Sequence, residues 1–175
     1  GQQGTTNAVG TAARFTLVYG IAVDDRTGNS YLADYDTSAV RRATPGGSVT
    51  TWQTGISTPT GLAIGGGSVW VCSYTLATQG VVKAELVSGS KSVYFSSNKN
   101  YYKNAFTADE RTMYVTRKAL HDVVKFVPPN PTAMFVAGTG LGFQNGAGFG
   151  ARFNGPAGIA VDSDGLVYVG DTNNA

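Results

Sequence analysis

The chain is short of cysteine, histidine and charge. Cys72 is its one cysteine, so no intrachain disulfide can form and the redox compartment stays open. His121 is its one histidine, and no His-x-x-x-His or Cys-x-x-Cys spacing exists, which excludes a three-histidine zinc centre. Nothing identifies a nucleophile for His121 to activate, and Gly-x-Ser-x-Gly is absent. Charged residues make up 14% of the 175 positions, against about 25% in average usage. The net charge of +2 is too small to imply a nucleic-acid or membrane partner. The longest apolar run, Phe15 to Val23, is broken by Thr16, Tyr19 and Gly20. A bilayer span needs about 20 apolar residues, so no membrane helix is expected, and no signal peptide is read at the start. The one Asn-x-Thr triplet, Asn130-Pro131-Thr132, is disqualified as a glycosylation acceptor by its proline.

What the chain does have is 24 glycines, 11% aromatics and many β-branched residues, with 42% of positions hydrophobic. That is the composition of an all-β protein with tight turns and a core, and not of a disordered one. No window shows sustained helical periodicity.

The order lies in a repeat. Residues 7–24 and 145–162, at a constant offset of 138, are identical at ten of eighteen positions, among them Arg14, Phe15, Gly20, Ile21, Ala22, Val23 and Asp24. Two weaker copies lie between. The segment opening at Gly20 recurs at Gly61, at Ala105-Phe106-Thr107-Ala108-Asp109 and at Gly158. The strand after it recurs as 30–34, 69–73, 113–117 and 167–171. A third strand reads 39–42, 80–83 and 122–125, and a fourth 49–52, 92–95 and 133–136. Three units in 138 residues give a mean period of 46. Periods of about 40–50 with four strands each are the mark of propeller blades. Glycine, aspartate, asparagine and proline punctuate the predicted turns, where positive φ or a preset bend is needed. Tyr31, Trp70, Tyr114 and Tyr168 hold one equivalent position and are expected to pack between neighbouring blades.

Ala151-Arg152-Phe153-Asn154-Gly155-Pro156-Ala157-Gly158-Ile159-Ala160-Val161-Asp162, followed by Val167 to Asn174, resembles an NHL repeat almost residue for residue. The lead-in Ala137-Gly138-Thr139-Gly140 is similar to the segment between such repeats, and His121-Asp122-Val123-Val124-Lys125 to a degenerate copy of the family's Asn-His-Arg-Ile stretch. The resemblance implies an all-β propeller of four-stranded antiparallel blades, with about three and a half blades here. The units run 13–54, 55–97, 98–140 and, incomplete, 141–175. Family rings of about six blades need roughly 276 residues at this spacing, so a partial ring is expected, completed by further chain or by a second copy. An open ring leaves unpaired faces, which invite association.

Alternating strand direction puts turns one-to-two and three-to-four on one face. Loops two-to-three and the crossings between blades lie on the other, where binding is expected to concentrate. Its candidate residues are Asp34 and Tyr35, Tyr74 within 73–75, Lys99, Tyr101, Tyr102 and Lys103 in one crossing, Arg117, Lys118 and His121, and Asp171. Basic groups interleaved with tyrosine suit phosphate contact with base stacking, and equally a protein partner. The plain alternative is solvated loops whose rings cover the blade top. Asp34 and Asp171 share a repeat position, where an aspartate lines a channel, binds a cation or caps its own loop.

Two motifs dissolve on inspection. Asp162-Ser163-Asp164-Gly165 starts like a calcium loop, but no glutamate closes it. Gly138-Thr139-Gly140-Leu141-Gly142 looks like a phosphate cradle, but no helix and no Lys-Ser/Thr pair follows.

The expectation is a non-catalytic scaffold that binds a protein, peptide or glycan through one face, with no cofactor and no metal. Two alternatives come from the resemblance alone: a lyase or lactonase-like hydrolase working at a metal or acid group in the central channel, and an RNA-binding propeller. The charge-poor, Gly/Thr/Ser/Tyr-rich composition leans towards an extracytoplasmic region.

Overall fold

The computed structural model describes residues 2–74, 80–96 and 99–174, so Thr75 of the second two-to-three loop lies outside the described residues. Helix among the described residues is confined to single 3₁₀ turns, and the rest of the regular structure is antiparallel sheet. The strands are β1 (Ala8–Val9), β2 (Val18–Asp24), β3 (Asn29–Asp34), β4 (Ala39–Ala43) and β5 (Ser48–Thr54) in the first blade, and β6 (Pro59–Gly65), β7 (Ser68–Ser73), β8 (Val81–Glu85) and β9 (Lys91–Phe95) in the second. The third blade holds β10 (Lys103–Phe106), β11 (Met113–Arg117), β12 (Asp122–Val127) and β13 (Asn130–Ala137), and the fourth β14 (Pro156–Val161) and β15 (Val167–Asp171). Pairing runs between sequence neighbours inside each blade, as the repeat required. The short β1 was not foreseen: it adds a fifth strand beside β5.

Inner strands pack side by side, β2 on β6, β6 on β10 and β10 on β14, which makes them the hub of the arc. Between blades one and two lies a core of Tyr31, Ala33, Val40, Ile56, Leu62, Val69, Val71 and Val82. Between blades two and three lies another, of Trp70, Cys72, Val81, Tyr101, Met113, Val115, Val124 and Phe126. Burial pushes the Cys72 thiol well up, as befits a packing residue and not a nucleophile. The repeated aromatic reports the stacking directly. Tyr31 and Trp70, each with a blade packed on it, are 3% exposed, and Tyr168 in the last unit is 58% exposed.

Register corrects one reading of the repeat. Ala22 faces Tyr31, Ala63 faces Trp70, and Ala160 faces Tyr168. In the third blade Ala105 faces Tyr114, so Ala105 corresponds to Ala22 and not, as expected, to Gly20. Asp109, which looked like the strand-ending Asp24, sits in the turn instead: its carboxylate accepts from the Thr107 hydroxyl at 2.6 Å and the Arg111 N–H at 3.1 Å. The counterpart of Gly20, Gly61 and Gly158 is therefore Lys103.

Glycine at this position is a matter of clearance. A Cβ on Gly20 would lie 2.5 Å from the Thr60 carbonyl oxygen, and one on Gly61 2.7 Å from both the Lys103 Cα and the Tyr102 carbonyl oxygen. The next inner strand is simply too near for a side chain. At Gly158 the nearest atoms, in its own blade, are 3.9 Å away. Gly61→Ala is thus expected to lower stability by about 1–3 kcal/mol through overpacking of backbone on backbone. Gly158→Ala should be close to neutral. Urea unfolding of both variants checks the pair.

Candidate functional site

In three of the four units the position that ends the second strand fastens the chain where it enters the blade. In the first blade Asp34 is fully buried and accepts the Thr16 N–H at 3.1 Å, the Leu17 N–H at 3.3 Å and the Thr16 hydroxyl. Arg41, itself buried, adds an ion pair at 3.2 Å and ties down the N-terminal segment through the Thr6 and Arg14 carbonyls and the Asn7 side chain. Burial alone would push the Asp34 carboxyl up. The hydrogen bonds from Thr16, Leu17 and Arg41 outweigh that and hold it below the ordinary carboxylate range. Asp171 repeats the device, accepting the Asn154 N–H at 2.6 Å. Ser73 does a lesser version, its hydroxyl donating to the Ser57 carbonyl at 2.6 Å. Arg117 occupies the same position in the third blade and pairs instead with Asp122, its Nε 2.7 Å from the carboxylate. These four side chains hold loops.

The residue one step further on lines a cleft instead. Tyr35, Tyr74 and Lys118 follow Asp34, Ser73 and Arg117, so three successive blades contribute the same position. Tyr19 and Tyr102 share another equivalent position, one residue before Gly20 and Lys103. Together these five line an open cleft of about 130 Å³ on the hub side of the loop face. Tyr19 gets there through a bulge. Val18 pairs with Asp34 and Gly20 with Ala33, which leaves Tyr19 as the extra residue and frees its ring from the strand's alternation.

The rings enclose the cleft at several angles. Tyr19 and Tyr35 are 4.7 Å apart and tilted by 40°, Tyr19 and Tyr102 meet edge-on at 6.5 Å, and Tyr74 and Tyr102 edge-on at 5.8 Å. The Lys118 ammonium stands 5.0 Å from the centre of the Tyr102 ring and the Lys103 ammonium 5.6 Å from it. Burial, and after it the charge of neighbouring phenols, pushes the Tyr102 and Tyr35 hydroxyls up, so both stay protonated at neutral pH and keep a donor.

Lys103 has a second duty. Its ammonium donates to the Thr60 carbonyl at 2.5 Å and to the Tyr19 carbonyl, joining the inner strands of blades one, two and three. Burial there pulls its pKa below the usual lysine value. The remaining expected residues stay outside the cleft. Tyr101 is fully buried in the core between blades two and three. Lys99 is exposed and lines a separate hollow with Phe95, Tyr101 and Arg117. His121 accepts the Gly155 N–H on Nδ1 at 2.9 Å and so pins the next crossing. Among the described residues no three His, Cys, Asp or Glu side chains gather as metal ligands would.

Known proteins place this geometry. The family model for the NHL repeat matches residues 153–175. The last unit is an NHL repeat. Asp171, which fastens the Asn154 N–H, lies within the matched residues, and Asp34 makes the corresponding bond in the first blade. A stretch of 69 residues of the chain is 36% identical to the protein SUPPRESSOR OF QUENCHING 1, chloroplastic, of Arabidopsis thaliana, covering 39% of this chain and 6% of that protein. The solved auxiliary nutrient binding protein from Bacteroides ovatus superposes with a TM-score of 0.76 at 14% identity, over 91% of this chain and 43% of its own. A catalytically inactive virginiamycin B lyase from Staphylococcus aureus, solved with quinupristin, superposes at 0.65 and 13% identity, over 88% and 48%. At such identities the likeness is one of fold, a β-propeller, and the chain spans less than half the length of either solved chain.

Proposed function

We propose that these blades form a non-catalytic recognition platform whose binding site is the tyrosine cleft at the hub of the loop face. The observation that supports this is convergence. Five half-buried or exposed side chains, drawn from two repeat positions in three blades, meet around one cavity. None of them is needed to fill the cores between blades, which are built from other residues. Tyrosine supplies large, amphipathic contact area at low conformational cost, the usual chemistry of a recognition surface. The polar groups lining the cleft are phenols and an ammonium, with no carboxylate, imidazole or thiol among its lining residues.

Removing whole loops would not test this cleanly, because 99–103 carries buried Tyr101 and 117–121 carries half of the Arg117–Asp122 pair. Point substitutions do. The Tyr19→Ala/Tyr102→Ala double variant of the full chain, compared with the wild type on arrayed glycans and peptides, is expected to lose at least about tenfold of the signal at each specific hit. Its thermal midpoint should stay near that of the wild type. Equal binding by the two proteins, or no selective binding by either, refutes the platform.

A further inference from the structure

We propose that the tyrosine cleft takes a single carboxylated sugar ring, with the sugar's faces on the tyrosines and its acid on Lys118. This rests on the reading of the cleft as a binding site and names its ligand.

Shape comes first. The cleft is lined by rings from blades one, two and three, and its volume of about 130 Å³ suits one ring-sized group. An extended peptide would need a groove running on from the cleft, with pockets for alternate side chains. A stacked base would prefer a flat shelf, whereas the rings meet at 40°, 77° and 84°. A pyranose fits such walls: its C–H faces lie against aromatic faces, and its hydroxyls both donate and accept, as a phenol does.

Charge comes second. Two ammoniums already flank the Tyr102 ring, so a third cation, such as a quaternary ammonium, would meet like charge at the best ring face. Lys103 is committed to two backbone carbonyls. Lys118 is not. It makes no ion pair with any described residue, and its ammonium stands over the cleft wall. A carboxylate on the bound ring would give it its missing partner. Such charge-assisted hydrogen bonds are about twice as strong as neutral ones.

The test titrates the full chain by calorimetry with D-glucuronate and D-galacturonate, with the neutral parent hexoses, and with short oligo-uronides. Uronates are expected to bind at least about tenfold tighter than the parent hexoses. Lys118→Met should abolish that preference while leaving the weak hexose binding, Lys118→Arg should restore it, and Tyr102→Ala should remove both. Oligo-uronides binding much tighter than the free acids identifies a polymer as the source; equal affinity identifies a free acidic sugar. Equal binding of uronates and hexoses overturns the assignment of the acid to Lys118 and leaves the platform standing. Tyr102-dependent binding of a proline-rich peptide or an oligonucleotide, with no sugar bound, overturns the ligand class alone. Absence of any Tyr102-dependent binding sinks both proposals.

Discussion

Asp34→Ala is expected to cost about 3–5 kcal/mol of folding stability, because it strands the Arg41 guanidinium in the interior without a counter-charge. The two side chains are 0% and 1% exposed, so water cannot take over the missing partner. The loss would not stop at one ion pair. Asp34 also accepts two backbone N–H groups and a hydroxyl from residues 16 and 17, while Arg41 fastens residues 6, 7 and 14. Removing the carboxylate therefore loosens the whole lead-in to the first blade. pH gives a second reading of the same group. The hydrogen bonds place the folded pKa of Asp34 below its unfolded value of about 3.9, so its stabilisation is complete above that value. It is lost as the pH falls through the lower, folded value. Urea unfolding at pH 7 and near pH 3 should show a steep acid loss in the wild type and a shallower one in Asp34→Asn. If the alanine variant costs under about 1 kcal/mol at pH 7, the pair is not what holds that lead-in.

The same fastening position explains why some of the molecule was legible in its sequence and some was not. Blade count, strand order and the two faces follow from a period and from alternation, which are properties of the backbone that any four-stranded blade must share. Single side chains are another matter. Tyr101 and Tyr102 are neighbours in one crossing, and nothing in their order says which turns inward. The structure sends Tyr101 into the core, fully buried, and Tyr102 to the cleft. Tyr19 was passed over because strict alternation has no place for it, and only the bulge between Val18 and Gly20 brings its ring round to the others. One cue was available: residue 157, its partner in the 138-residue offset, is alanine, so the tyrosine is a departure from the repeat. Lys103 was placed among the binding residues without its second role. Matching Asp109 to Asp24 hid the fact that a lysine replaces the hub glycine, and only the pairing of Ala105 with Tyr114 restores the register.

Equivalent positions in a repeat also permit a test that a unique fold does not, in which the repeated aromatic is removed at one site that a neighbouring blade covers and at one that none of the described blades covers. Trp70→Ala is expected to cost about 3–5 kcal/mol, the usual range for deleting a large buried aromatic. Trp70 meets Tyr94 of its own outer strand edge-on at 4.7 Å and Phe106 of the third blade at 5.7 Å. Its indole N–H donates to the Gly65 carbonyl at 2.9 Å, a buried acceptor that alanine would leave empty-handed. Tyr168 occupies the same place in the fourth unit, where no further blade among the described residues covers it. Its hydroxyl reaches Asp162 at 3.0 Å, and its ring is largely in solvent. Tyr168→Ala should therefore cost no more than about 1 kcal/mol. Both variants unfold from one chain, so denaturant midpoints compare them directly. Similar losses at the two sites would mean that the aromatic serves its own blade, and radial stacking would cease to be the reason for its recurrence.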